Sequence, residues 1–197
     1  MSFKEKNMNL SEILKQRRSY YAIGSDLPVP ESQVVKKIEE YTELVPDAFN
    51  MKSSRVVLAL GKKQDLLWDA IYDAFGGKVK HEKLDGFKAG AGTVLFFYDT
   101  DTVTGMQKQF PGYADNFPLW ALQASGMLQF TVWSGLRELG IGATVQHYNP
   151  VIDEAVAKLF GVPKSWKLIS QMPFGNILEE PEPKDPEDIS KRVIVSR

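Results

Sequence analysis

Cysteine is absent from this sequence of 197 residues, and only two histidines occur, His81 and His147. The absence of cysteine excludes disulfides, thiol nucleophiles and thiolate metal sites, and it is consistent with a reducing cytoplasm. No H-E-x-x-H motif occurs, and no carboxylates have the spacing of metal ligands, so we expect no metal site. Basic and acidic residues number 24 and 25, which argues against a nucleic-acid partner.

Motifs of several enzyme classes are also missing. There is no G-x-S-x-G nucleophile elbow, and the Gly61-Lys62 turn lacks the other glycine and the hydroxyl residue of a P-loop. The run G-I-G-A-T-V begins like a dinucleotide fingerprint, but Val145 replaces the third glycine, and the run leads into a strand instead of leaving one. An enzyme built on this chain would therefore need a bound cofactor to supply its chemistry.

Long uncharged runs are scarce except at residues 116–136, a stretch long enough to span a bilayer. Polar residues and a proline interrupt it, namely Pro118, Gln123, Ser125, Gln129 and Ser134. These interruptions favour a helix buried inside the protein or between subunits. The amino-terminal run M-S-F-K-E-K-N-M-N-L has no apolar core of a signal peptide. We therefore expect a cytoplasmic protein without a membrane segment.

Helical and strand patterns are interleaved along the chain. Apolar spacing predicts a first helix that ends at the arginine pair. It also predicts helices near 31–45, 62–75, 101–109, 116–139 and 151–160. Apolar runs predict four strands, of which A-G-T-V-L-F-F-Y-D is central and buried on both faces. An irregular acidic linker at 179–188 precedes residues 190–197, which are apolar enough to dock as a short strand. The pattern indicates one domain over residues 1–197, in which helices and strands alternate around one mixed sheet with a prominent central helix.

Two arginines and a serine, Arg17, Arg18 and Ser19, stand where the first helix should end. Guanidinium groups and a hydroxyl are good ligands for a phosphate. The same cluster is also typical of a solvated helix end, because cations there favour the helix dipole. Taken alone, these three residues leave both interpretations open.

The whole chain resembles the FMN-dependent nitroreductase family. The shared features are a first helix ending in Arg-Arg-Ser, an asparagine segment ahead of the first long strand, a long apolar helix, a Gly-Ile-Gly strand and a basic carboxyl-terminal end. The runs K-L-D-G-F-K-A-G-A-G-T-V-L-F-F and L-G-I-G-A-T-V-Q-H-Y-N-P are similar to the branch named for the fatty-acid-repression-mutant protein. The resemblance implies an α+β fold with a mixed sheet flanked by helices. It also implies a homodimer with the long helix at its interface and two FMN molecules between the subunits. It also implies hydride transfer from NADH or NADPH to a nitroaromatic, quinone or related acceptor.

The same resemblance implies which residues hold FMN. Arg17, Arg18 and Ser19 would bind the phosphate and ribityl chain, and Lys191 or Arg192 would reach the same phosphate. The other implied contacts are, from the partner subunit, Asn50, Lys52 and Ser53, and beside the flavin ring, Val145, Gln146, His147 and, as a weaker candidate, Lys88. A backbone N–H of residues 145–147 would face the flavin N5. No side chain need act as a nucleophile, and no catalytic residue is assigned.

Two positions depart from the family pattern. Tyr21 stands where many relatives have a basic residue, and residues 50–54 read N-M-K-S-S instead of the common N-S-Q-P-W. Ordinary roles are also open, because His147 could be an interior histidine and Lys191 and Arg192 could be tail charges. At the level of function, the alternatives are a flavin-binding regulatory or interaction protein with negligible turnover and a cofactor-free binding domain.

Overall fold

The structure, a computed structural model, describes residues 9–197. Most of the amino-terminal run that lacks the apolar core of a signal peptide therefore lies outside the described residues. The helices described are α1 Leu10–Gln16, α2 Glu31–Leu44, α3 Lys62–Ala74, α4 His81–Lys88, α5 Thr100–Gln109, α6 Phe117–Glu138 and α7 Asp153–Phe160. The strands are β1 Ile23–Gly24, β2 Ser54–Leu60, β3 Gly92–Asp99, β4 Ile141–Ala143 and β5 Trp166–Ile177. The α+β class predicted from the sequence is confirmed.

The strands form one sheet in the order β1-β5-β3-β2, and β4 also pairs with β5. All of its ladders are antiparallel, and the parallel pairing that was expected in a mixed sheet is confined to an isolated bridge between Ser19 and Ala143. The predicted central strand, β3, lies between β5 and β2 and is buried from Gly92 to Tyr98. Among the described strands β2 pairs only with β3, so it forms one edge of the sheet.

Two apolar layers cover the faces of this sheet. On one face, alternate residues of β3 such as Val94 and Phe96 pack with helices α2 and α6. On the other face, Leu95 and Phe97 pack with α3, α4 and α7. Successive side chains of a strand point to opposite faces, so the continuous apolar run at 92–98 supplies both cores.

The uncharged stretch of the sequence forms α6. Of the small residues on this helix, Ala121, Ala124 and Ser125 are buried within the subunit, whereas a β-carbon at Gly126 would meet no atom within 4 Å. Large apolar side chains are nevertheless exposed along the same helix, namely Leu119, Leu122, Met127 and Phe130. None of the described helices is long and apolar enough to cross a membrane.

The carboxyl-terminal segment differs from the expectation. Residues 179–188 are irregular, as predicted, but residues 190–197 form no strand within the described subunit. Val193, Ile194 and Val195 are 54, 92 and 72% exposed. The linker at 179–188 contacts the β4 side of the sheet, where Arg18 Nη2 donates to the Glu182 carbonyl. The open edge of the sheet, β2, lies at the other side.

Candidate functional site

The Arg-Arg-Ser run lies along β4. Helix α1 ends at Gln16 and is followed by the cap residue Arg17, whose backbone N–H donates to the Ile13 carbonyl. Ser19 then forms its bridge with Ala143, and the Tyr20 N–H donates to the Ala143 carbonyl at 3.1 Å. Residues 145–147 follow β4 directly, so the fold brings the predicted phosphate ligands and the predicted ring contacts to the same strand.

Arg17 has the electrostatics of an anion ligand. Its guanidinium carbon lies 4.2 Å from the centroid of the Trp133 ring and 6.0 Å from that of Phe130. Burial, followed by the charge of Arg18, lowers the pKa of Arg17 from its ordinary value. Its Nε is buried and has no hydrogen-bond partner among the described residues. A partly buried cation next to another cation, with an unpaired donor, is suited to binding an anion.

Arg137 is a further cation beside this run, and the sequence analysis did not select it. Its Nη2 donates to the Gln16 side chain at 3.0 Å, and its guanidinium lies 5.8 Å from the Tyr20 ring. Its Nε is also buried without a partner among the described residues. The available signal was its position, because Arg137 is the first charge after the uncharged run at 116–136.

The acidic linker passes over these cations. Arg18 donates to the Glu182 carbonyl at 2.6 Å, and the pKa of Tyr20 is raised by burial and further by nearby Glu180. A phosphate bound by Arg18 would therefore compete with a backbone carbonyl of the linker. Lys191 and Arg192 follow the linker and are exposed, and Arg192 pairs with Glu187 at 3.5 Å. Their contact with a phosphate stays a prediction.

The backbone N–H groups of residues 145–147 differ in whether they are already hydrogen-bonded within the subunit. The Gln146 N–H donates to the Gln171 carbonyl at 2.7 Å and the Gln146 carbonyl accepts from the Gln171 N–H at 2.9 Å, so Gln146 is paired into the sheet. Within residues 9–197 the N–H groups of Val145 and His147 donate no hydrogen bond. The N–H predicted to face a flavin is therefore that of Val145 or His147.

Tyr21 and Lys88 occupy different surroundings. Tyr21 is exposed, and its ring centroid lies 6.1 Å from that of Phe87. Lys88 Nζ lies 2.6 Å from Asp69 Oδ1, a hydrogen bond that raises the pKa of Lys88. Lys88 also lines a cavity of about 460 Å³ whose lining includes no other predicted cofactor ligand. The structure therefore does not bring Lys88 together with the residues beside β4.

Asn50 and Lys52 are exposed and line a cavity of about 670 Å³ between α2 and the edge strand β2. Their loop is strained, because Phe49, Asn50 and Lys52 have φ values of 56°, 50° and 52°. Residues such as Phe49 and Lys52 cost about 1–2 kcal/mol each in this left-handed region, whereas asparagine tolerates it better. Three such residues in four positions mark the loop as a candidate functional segment.

Ser53, in contrast, is fully buried in its own subunit. Its N–H and its hydroxyl both donate to Asp47 Oδ2, at 2.8 and 2.6 Å. The structure thus assigns Ser53 to the framework of the loop and leaves Asn50 and Lys52 as the exposed candidates. In the described part of the chain, no three histidine, aspartate or glutamate side chains lie together as a metal site would require.

The chain is similar to several known proteins. Residues 14–176 match the model of the Nitroreductase family. Nitroreductase FRM2 of Saccharomyces cerevisiae is 31% identical over 179 residues, which are 89% of this chain and 92% of the yeast protein.

Two solved structures extend the comparison. Nitroreductase CinD from Lactococcus lactis, in complex with chloramphenicol, has a TM-score of 0.91 and 43% identity, covering 96% of this chain and 100% of that chain. CinD was also solved with 4-nitrophenol. A putative nitroreductase from Exiguobacterium sibiricum in complex with FMN shares the fold, with a TM-score of 0.74 and 14% identity over 96% of this chain and 98% of that chain.

Proposed function

The chain belongs to the nitroreductase family, in the branch of FRM2, and we propose that it is an FMN-dependent oxidoreductase. It takes hydride from NADH or NADPH and reduces nitroaromatic, quinone or related acceptors. The observation that carries the proposal is Arg17, which lies next to Arg18 and keeps an unpaired Nε beside β4. The cysteine-free sequence supports a cytoplasmic location.

The residues present fit FMN, which when bound supplies the redox chemistry between the nicotinamide and the acceptor. Arg17, Arg18 and Ser19 bind its phosphate, where guanidinium forks and a hydroxyl give short charge-assisted hydrogen bonds. The N–H of Val145 or His147 orients the ring edge and stabilises negative charge there. Trp133 covers one side of the Arg17 guanidinium and so keeps water from it.

The relatives support one acceptor class over the others. Chloramphenicol and 4-nitrophenol, two ligands of the CinD structures, carry a nitroaromatic ring, whereas a third, nicotinic acid, does not, and this chain is 42–43% identical to CinD. A nitroaromatic acceptor is therefore the substrate class with the most direct support. The position of the candidate site beside exposed backbone N–H groups and not beside an acid, base or nucleophile constellation fits a reaction carried by the cofactor.

We further propose a homodimer in which each cofactor site is shared. Four large apolar side chains of α6 are exposed, and a concentration of such side chains on one helix is typical of an interface. Gly126 lies on this helix and leaves room for a close approach of another chain. Asn50 and Lys52 are exposed and have few partners in their own subunit, which suits contacts to a cofactor held by the partner.

The carboxyl-terminal segment of a second copy is the occupant that we propose for the cavity beside β2. Apolar side chains line this cavity, namely Val35, Ile38, Val56, Leu58 and Leu60. Its carboxylates are Glu39, Glu43 and Asp47, against the cations Lys52 and Arg55. Residues 191–197 match both features, with exposed Val193 to Val195 between Lys191, Arg192 and Arg197. An edge strand also offers unpaired backbone groups to such a segment.

Deleting residues 189–197 tests this docking by light scattering after size exclusion. We expect weaker dimerisation and weaker FMN binding than in the full chain, because Lys191 and Arg192 leave with the segment. An unchanged dimer that binds FMN fully would contradict the docking.

The visible absorption spectrum before and after NADPH tests the function. A flavin enzyme purifies yellow, loses its flavin absorption quickly when NADPH is added without oxygen, and recovers it when 4-nitrophenol or a quinone follows. The alternative, a flavin-binding regulatory protein, would purify yellow but keep its absorption. A colourless protein that FMN does not stabilise would be a cofactor-free binding domain, and the proposal would fail.

A further inference from the structure

The loop that carries Asn50 and Lys52 needs support from outside itself. Phe49 has φ 56° and ψ 18°, and Asn50 and Lys52 also lie in the left-handed region. Side chains with a β-carbon disfavour this region, so such a backbone persists only where surrounding contacts determine it. The contacts on the two sides of the loop are different in kind.

Hydrogen bonds hold the end of the loop that leads into β2. The Asp47 carboxylate accepts from the Ser53 N–H and hydroxyl, and the Lys52 carbonyl accepts from Arg55 Nη1 at 2.6 Å. Arg55 Nη2 in turn lies 3.0 Å from Asp99 Oδ2. These bonds fix residues 52–55 but involve no side chain of residues 49–51.

An aromatic cluster holds the other side. The Phe49 ring lies 5.7 Å from Trp120 in a stacked arrangement with an interplanar angle of 22°. Three more rings surround it at centroid distances of 4.9, 5.3 and 5.7 Å, those of Phe110, Phe117 and Tyr113. Aromatic pairs at these distances attract one another beyond the area they bury. Phe49 is nevertheless 49% exposed, so its ring contributes to the core less than a buried phenylalanine does.

We infer that Phe49 is a positioning residue for the cofactor loop, an inference that rests on the proposed function. Its ring anchors the left-handed backbone against the segment at 110–120, and Asn50 and Lys52 therefore face the large cavity. Without the ring, residues 49–50 relax to the ordinary right-handed or extended regions and carry Asn50 away from the cofactor. The Arg17–Ser19 side of the site is untouched by this change.

Three variants at one position separate the ring from the backbone. Phe49→Ala removes the anchor, Phe49→Gly removes it and also makes a positive φ easy, and Phe49→Tyr keeps the ring with its hydroxyl directed to solvent. We expect the Kd for FMN, measured by quenching of flavin fluorescence, to rise about fivefold in the alanine variant, as for one lost hydrogen bond, and less in the glycine variant, because glycine has no β-carbon to oppose a positive φ. Phe49→Tyr should keep the wild-type Kd. An alanine variant that binds FMN as well as the wild type would overturn the anchoring role.

A double-mutant cycle with Asn50→Ala tests whether Phe49 acts through the loop. If it does, Phe49→Ala should weaken FMN binding little further once Asn50 is already alanine, because the two effects are not additive. Additive effects would overturn the inference. The matched control is Phe160→Ala, which removes a partly buried ring from α7 and should leave the Kd for FMN unchanged.

Different results would refute the proposed function and the positioning role of Phe49. A wild-type protein that does not bind FMN refutes the proposed function, and the positioning role with it. If the wild type binds FMN and Arg18→Ala weakens that binding, but Phe49→Ala does not, only the positioning role is refuted. Should Phe49→Ala not fold, Phe49→Leu keeps an apolar side chain without the ring and carries the same expectation.

Discussion

Arg17→Ala is the substitution that examines the phosphate site most closely. The guanidinium is partly buried, stacks on Trp133 at 4.2 Å and keeps its Nε unpaired, so a bound phosphate would be its main polar partner. Losing a charge-assisted hydrogen bond costs about 1.5–3 kcal/mol. This loss corresponds to a rise of about ten- to a hundredfold in the Kd for FMN.

The apoprotein should respond much less to Arg17→Ala. The variant loses a cation–π contact worth about 0.5–1 kcal/mol, but it also relieves the burial of a charge beside Arg18. We therefore expect the free energy of unfolding in urea to change by less than about 1 kcal/mol. A small change in stability together with a large change in Kd would separate binding from folding.

Riboflavin, which is FMN without its phosphate, makes the assay specific. Quenching of flavin fluorescence should show that Arg17→Ala weakens FMN binding but leaves riboflavin binding nearly unchanged. Lys158→Ala removes one exposed positive charge from α7 and serves as the control for net charge. Equal losses for FMN and riboflavin, or no loss for either, would refute the assignment of Arg17 to the phosphate.

Other substitutions test the interface, the ring contact and a partly buried carboxyl. Gly126→Glu fits the isolated subunit but puts a charge on the exposed face of α6, so light scattering should show loss of the dimer, and the protein should lose FMN. A monomer that keeps its yellow FMN would refute the shared site. His147→Pro removes an unpaired N–H and should slow flavin reduction more than His147→Ala does, so equal reduction rates in these two variants would contradict the proposed ring contact. Gln146→Pro should mainly lower the urea midpoint of unfolding, because it breaks the hydrogen bond to Gln171. Burial raises the pKa of Asp153 in the folded state, so ionisation of this carboxyl opposes folding as the pH rises above its unfolded pKa of about 4. The free energy of unfolding of Asp153→Asn should therefore increase relative to that of the wild type between pH 4 and pH 7, and a relative decrease would contradict this assignment.

Strong periodic patterns predicted most of the fold. The apolar run at 92–98 predicted a strand buried on both faces, and β3 is buried from Gly92 to Tyr98. The helix predicted near 116–139 is α6 from Phe117 to Glu138, and the helix predicted up to the arginine pair ends at Gln16. Helix α4 and strand β1 were not predicted, because eight residues after a Gly-Gly break and two residues in a turn carry too little periodicity.

The sequence indicated which residues of the candidate site lie near one another only where local sequence determines position. Arg17, Arg18 and Ser19 lie near residues 145–147, because Ser19 pairs with Ala143, two residues before the second run. The burial of Ser53 against Asp47 and the pairing of Lys88 with Asp69 depend on tertiary contacts that no spacing reveals. Strand pairing likewise decides that the Gln146 N–H is used by Gln171.

The most direct test of the account is the recovery of activity when FMN is returned to the apoprotein. With 4-nitrophenol as the acceptor, we expect NADPH oxidation to be absent from the apoprotein and to rise in proportion to bound FMN, up to one FMN per chain. Arg17→Ala should need more FMN for the same activity. Acceptor reduction without flavin, or a fully FMN-loaded protein that does not oxidise NADPH or NADH, would contradict the proposal that this chain is an FMN-dependent oxidoreductase.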